Sequence, residues 1–157
     1  MNYMMKGANK NPKKLIDFFG GEYDFLCNFY ERPVFYNGLL YGSSEAAFAS
    51  MKTADPLLQA EFVALSPGVA KARGRRLALR LDWDAIKLRV MSEVVHAKFM
   101  QHRDLAAKLM NTGKAKLVEG NTWNDRIWGT VDGVGLNWLG CILTAERAYL
   151  NRLNTDL

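Results

Sequence analysis

The apolar positions of this chain fall into short extended runs near its start and into helical stripes over most of the rest. Leu15 to Phe19 is a brief apolar run closed by Gly20-Gly21 and predicts a buried strand. In Pro33 to Tyr41, Asn37-Gly38 interrupts aromatic and aliphatic residues, which predicts a hairpin with a type I′ turn. Tyr41-Gly-Ser-Ser-Glu-Ala-Ala-Phe-Ala-Ser-Met-Lys52 then runs from a polar turn into a helix. Ser43 or Ser44 supplies its N-cap, and the helix begins at or beside Glu45. Asp55-Pro56 opens a short helix to about Ala64, and Ser66-Pro67 opens a third. The longest helix starts at Asp82-Trp83 and runs to roughly Met100, with Ile86, Val90, Val94 and Ala97 as its apolar stripe. Helical spacing continues from His102 to Asn111 and ends at Thr112-Gly113. From Leu117 to Gly140 periodicity is lost, and it returns from Leu139 to about Leu150.

These elements predict an α+β fold, predominantly α-helical. A small strand and hairpin element lies beside the Glu45 helix, and the 117–140 loop closes over it. Residues 1–14, with Lys6, Lys10, Lys13 and Lys14, read as a basic N-terminal arm, and 15–157 as a single domain.

Composition narrows the class. At 157 residues, 49% hydrophobic and 24% charged, the chain is long enough for one real core and is not a disordered sequence. No apolar run reaches membrane-span length and the first residues lack the apolar region of a signal peptide, so a cytoplasmic protein without a membrane partner is expected. Cys27 and Cys141 have no CxxC context and read as reduced thiols. His96 and His102 are off the spacing of a helical metal pair, so neither a metal nor a cofactor is predicted. The net charge of +5 favours an anionic partner such as a nucleotide, nucleic acid or phosphosugar. Oligomeric state is not written in the pattern.

Candidate chemistry begins with Glu45, Phe48 and Lys52, which share one face of an ideal helix. They form either a surface ion pair or a pocket wall. Asn28, inside the aromatic run Phe25 to Tyr30, is a turn-former or a ligand contact. The helix after Pro67 carries Lys71, Arg73, Arg75, Arg76 and Arg80 and is interrupted by Gly74. Its cations are a solvated face or a phosphate site, and the glycine marks close approach of a ligand or another backbone. Trp83 at a helix start is suited to packing on the next turn. The aperiodic 117–140 stretch, dense in Trp, Asn, Asp and Gly, has the composition of a binding loop.

Taken in order, these segments resemble the NADAR superfamily, the YbiA-like N-glycosidases. The resemblance rests on Phe25-x-x-Asn28-Phe29, Tyr41-x-Ser-Ser-Glu45-x-x-Phe48-x-x-x-Lys52, Pro67-x-x-Ala-Lys71-x-x-Gly74-Arg75 and Trp83-Asp84-x-x-Lys87-x-x-Val-Met91. It continues through Lys98-Phe99-x-Gln101-His102, Leu117-Val-Glu119, Asn124-Asp125-Arg-Ile-Trp128-Gly129 and Gly135-x-Asn137-x-Leu139-Gly140, covering about residues 18 to 150. One position departs: the glutamate of the Tyr41 block is usually followed by histidine, and here it is followed by Ala46.

The resemblance implies binding of ADP-ribose or a related ribosyl phosphate and hydrolysis of its N-glycosidic bond. Substrates of this kind include ADP-ribosyl groups on guanine in nucleic acid and ribosylaminopyrimidine intermediates of riboflavin synthesis. Cleavage of a ribosyl C–N bond develops positive charge at C1 and the ring oxygen, which a carboxylate such as Glu45 would stabilise. Asp125 is the second candidate acid, orienting water or holding a ribose hydroxyl. Lys52 either attacks C1 as an imine-forming amine or pairs with Glu45 and positions it. Trp83, Trp123 and Trp128 suit stacking on a base, Lys71 and Arg75 a diphosphate, and Asn28 and Asn137 sugar hydroxyls or the loop itself. Phe29, Tyr41, Ser44, Phe48 and Gly129 complete the expected substrate-binding set. Two other readings remain: a silent ADP-ribose reader, and a basic module that stacks single-stranded nucleic acid.

Overall fold

The computed structural model describes residues 12–156. The expected basic arm thus lies for the most part outside the described residues; within them Lys13 pairs with Glu22 at 3.0 Å. The chain order is β1 (Leu15–Ile16), a 3-10 turn (Gly21–Leu26), β2 (Val34–Tyr36), β3 (Leu39–Tyr41), α1 (Ser44–Ser50), α2 (Pro56–Ala60), α3 (Pro67–Gly74), α4 (Trp83–Gln101), α5 (Arg103–Asn111), β4 (Lys116–Leu117) and α6 (Trp138–Thr155). The fold is α+β and mainly helical, with two small two-stranded sheets.

Local sequence explains the entry to α1. Asn37 and Gly38 take positive φ values of 50° and 81°, the geometry a two-residue hairpin turn requires, so β2 and β3 pair antiparallel with Val34 opposite Tyr41. That register buries Val34 and Tyr41 while Phe35 and Leu40 face outward. Ser43 caps α1 by accepting the Ala46 amide at 3.1 Å. The hairpin is then fastened to α4, where the Gln101 side chain exchanges hydrogen bonds with the Phe35 amide and carbonyl, both at 2.8 Å.

Six expectations are corrected. The 15–19 run is not a five-residue buried strand: only Leu15 and Ile16 pair, parallel with Lys116 and Leu117, and Leu15 and Phe18 are exposed. α1 stops at Ser50, so Lys52 lies in the turn beyond it, its carbonyl accepting the Arg80 amide at 2.8 Å. α2 ends at Ala60, and α3 ends at Gly74, leaving Arg75, Arg76 and Arg80 outside the helix they were expected to share. α4 buries Val90, Met91, Val94, Val95, Lys98 and Phe99, so Val90 and Val94 of the expected stripe are enclosed while Ile86 and Ala97 are only partly covered. The closing helix runs on to Thr155.

The core joins α1, α4, α5 and α6, with Phe62, Leu105, Leu109, Leu139 and Leu143 almost wholly enclosed. Each such side chain contributes about 1.5–3 kcal/mol of transfer free energy. α1, which carries Glu45, packs on both α3 and α4. Among the described residues, no helix is long and apolar enough to cross a membrane.

Candidate active site

Gly74 leaves room for the side chain of Lys52, which lies past the end of α1, to run across α3. A Cβ at Gly74 would meet the Ala49 Cβ at 3.2 Å and the Lys52 Cδ and Nζ at 3.5 and 3.6 Å. α3 thus approaches α1 closely at this glycine, where a larger residue would have to displace the Ala49 methyl, and the Lys52 side chain runs across it. This brings Lys52, Lys71 and Arg75 around the partly buried Glu45.

Burial is the largest influence on the Glu45 carboxyl and pushes its pKa up; Lys71, Lys52 and Arg75 pull it down, and Asp125 pushes it up again. Burial also lowers the Lys52 pKa, opposed by Glu45 and reinforced by Arg75 and Lys71. Both members of the pair thus feel desolvation more than mutual attraction. Among the described residues, the side chains of Glu45, Lys52, Lys71 and Arg75 make no hydrogen bond or ion pair. They interact at longer range, which leaves their polar atoms available.

The 117–140 loop supplies the facing side. Trp128 meets the Phe48 ring edge-on at 5.4 Å, Trp83 packs on the same ring at 5.2 Å, and Trp138 backs Trp128 at 5.7 Å. Lys71 sits between Phe29 and Trp123, its Nζ 5.4 and 5.6 Å from the two ring centroids. Both aromatics are exposed, so their outer faces are free to take a planar ligand. Asp125 Oδ1 accepts the Ile127 and Trp128 amides at 3.0 and 2.9 Å, shaping the turn that carries Trp128.

Other expected contacts serve the scaffold. Tyr41 is fully buried with its hydroxyl 2.9 Å from that of Ser50. Ser44 donates to Asn28 Oδ1 at 3.0 Å, Asn28 Nδ2 reaches the Met91 sulfur at 3.3 Å, and the Asn28 carbonyl accepts the Glu45 amide at 3.1 Å. This network orients the start of α1. Asn137, with φ of 52°, accepts the Glu119 amide and donates to the Leu117 carbonyl, both at 2.9 Å. Gly129 is buried with no room for a side chain, since a Cβ there would overlap the Glu119 carbonyl oxygen. Trp83 is buried as well, so its ring reaches a ligand only through Phe48.

Two ionisable residues escaped the sequence reading of the site. Glu119, in the loop beside Asp125, has its pKa pushed up to about 8 by burial and by Asp125, with Glu45 adding and Lys71 opposing. Its Oε2 is buried without a partner among the described residues. Lys98 is buried beneath the site, donating to the Phe25 and Cys27 carbonyls at 2.6 and 3.0 Å, and burial lowers its pKa to about 7. Both residues stand in segments that carry the family resemblance, Lys98-Phe99-x-Gln101-His102 and Leu117-Val-Glu119, and Lys98 is also in line with Met91, Val94 and Val95 on α4.

The imidazoles are spent on packing: His96 Nδ1 lies 3.0 Å from Glu146, and His102 Nε2 2.6 Å from the Pro33 carbonyl. Among the described residues, no group of three His, Cys, Asp or Glu side chains is placed to hold a metal. A cavity of about 800 Å³ lies beside Trp123, lined also by Asp17, Asn121, Thr130 and Asn137. It includes none of Glu45, Lys52, Lys71 or Glu119, so the charges and not the volume locate the chemistry.

The NADAR domain profile matches residues 17–151. The N-glycosidase YbiA of Shigella flexneri is 37% identical over 142 residues, 87% of this chain and 88% of that protein. The riboflavin biosynthesis protein VVA0006 of Vibrio vulnificus is 37% identical over 131 residues, 80% of this chain and 35% of that protein. The NMR structure of Escherichia coli YbiA superposes with a TM-score of 0.84 at 32% identity, covering 100% of this chain and 97% of that one.

Proposed function

We propose, from the premise that this chain belongs to the NADAR domain family, that it is an N-glycosidase cleaving the bond between a ribosyl phosphate and a base. The observation that carries this reading is the set of unpaired groups at the α1–α3 junction, a carboxylate among three cations beneath exposed aromatic rings. A cation-lined cleft suits a diphosphate or phosphate. A carboxylate kept from direct pairing is available to a cationic sugar.

In this mechanism Lys71 and Arg75 bind phosphate oxygens, and Trp123 and Phe29 flank a base. Glu45 stabilises the positive charge that grows at C1 as the C–N bond lengthens. Lys52, whose burial raises its unprotonated fraction, attacks C1; the ring opens to a protonated imine, and water releases the sugar and restores the amine. Asp125 holds the loop that carries Trp128 and adds negative charge facing C1.

We favour ADP-ribose linked to guanine in nucleic acid as the substrate, because Lys71 and Arg75 supply two cations for a diphosphate and the exposed Trp123 leaves room for a polymer. The name of the Vibrio relative favours a second substrate, a ribosylaminopyrimidine phosphate. The two are separated by incubating the protein with guanine-ADP-ribosylated single-stranded DNA and with the pyrimidine compound and following release of the sugar phosphate. Faster release from the DNA supports the first; release only from the pyrimidine replaces it with the second. Release from neither, with binding of free ADP-ribose, leaves a reader.

A further inference from the structure

We propose that Glu119 is the catalytic acid of this site, giving its proton to the base nitrogen as the glycosidic bond breaks. The proposal rests on the glycosidase reading above and adds a residue to it.

The first argument is the effort the fold spends on this one position. The Glu119 amide donates to Asn137 Oδ1 at 2.9 Å, and its carbonyl accepts the Thr130 amide at 2.8 Å and Asn121 Nδ2 at 3.4 Å. Gly129 lies against the same carbonyl with no room for a Cβ, and Gly120 packs equally tightly on the Asp17 carbonyl. A glutamate needed only for solubility has no use for a backbone clamped from four sides. A proton donor does, because transfer requires a fixed approach.

The second argument is the carboxyl itself. Oε2 is buried and has no partner among the described residues. An ionised carboxylate is acceptor-only and is costly to bury unpaired, whereas the neutral acid carries an O–H able to donate to a ligand. The third is the arrangement of charge. Among the described residues, Glu45 feels Lys71, Lys52 and Arg75, while Glu119 feels Lys71 alone of these cations, with Asp125, Glu45 and the Cys27 thiol around it. A proton entering this cluster settles on the carboxyl with less positive company, which divides the two glutamates into an ion and an acid.

The step balances. As the C1–N bond breaks, its electron pair goes to the base nitrogen and the Glu119 proton follows, leaving a carboxylate. When water takes the base's place at C1, through hydrolysis of the Lys52 imine, it releases one proton that restores Glu119.

The test compares wild type with Glu119→Gln on two substrates: ADP-ribosylated guanine in DNA, and ADP-ribose carrying 4-nitrophenolate at C1, a leaving group that needs no proton. The expected loss in kcat is about 10²–10⁴-fold on the guanine substrate and far smaller on the nitrophenyl one, and the alkaline fall of the wild-type kcat disappears. Equal losses on both substrates overturn the proposal and leave the glycosidase reading standing. A wild-type protein inactive on both substrates and on the pyrimidine compound overturns the two together. Carbon-13 NMR of the glutamate carboxyls in the wild-type protein needs no variant: a Glu119 titration near 8 supports the proposal, and one near the ordinary 4.5 overturns it.

Discussion

Asn137→Ala isolates the staple that holds the loop to α6. The side chain makes two hydrogen bonds, to the Glu119 amide and the Leu117 carbonyl, each worth about 1 kcal/mol net. Its backbone is left-handed, with φ of 52°, and alanine adds about 1 kcal/mol of strain there. Together these predict about 3 kcal/mol of lost stability, and in a domain of this size each kcal/mol moves Tm by about 2–4 °C, so the expected fall is about 6–12 °C. Differential scanning calorimetry of the two proteins reads it. Because the same bond fixes the Glu119 backbone, kcat falls as well, without a matching rise in KM. A Tm within about 2 °C of wild type, with the loss confined to KM, would refute the staple and return Asn137 to the role of a sugar-hydroxyl ligand.

Borohydride added during turnover is expected to attach the sugar to wild-type protein and not to Lys52→Ala, read by intact mass; no adduct in wild type would leave Lys52 a positioning partner of Glu45. The Glu119 pKa is raised on folding, so its contribution to stability is whole below pH 4.5 and is lost as pH rises towards about 8, at no more than about 1.4 kcal/mol per pH unit. Lys98 is depressed to about 7, so stability gains on rising from about 7 to 10.5. Urea titrations across pH should show the first slope removed by Glu119→Gln and the second by Lys98→Met. Ala46 is fully buried against the core, so Ala46→His is expected to cost about 1–3 kcal/mol by overpacking and to leave the reaction no faster; a stable, faster variant would show that the position serves the chemistry. Gly74→Ala pushes on Ala49 and Lys52 and should lower kcat before it lowers Tm.

What the sequence made legible is local. The Asn37-Gly38 turn and the serine cap of α1 are decided within a few residues, and both stand where their chemistry puts them. Glu45 and Lys52 do not share a helix face: α1 ends before Lys52, whose side chain lies across the close approach of α3 at Gly74. Such an approach depends on tertiary packing that no spacing encodes. For the same reason Tyr41, Ser44 and Gly129 looked like contacts in a motif, whereas each holds a neighbouring element. Glu119 was hidden because its partners, at Asn137, Thr130 and Asp125, come from farther along the loop.

In the mechanism proposed above, Glu45 stabilises the sugar cation of a glycosidic cleavage. Single-turnover release of ADP-ribose from guanine-ADP-ribosylated DNA by Glu45→Gln, a replacement that keeps shape and removes charge, tests it most directly. The expected rate is lower by about 10²–10³-fold with ligand affinity little changed. A variant as fast as wild type would contradict it and move the chemistry away from the α1–α3 junction.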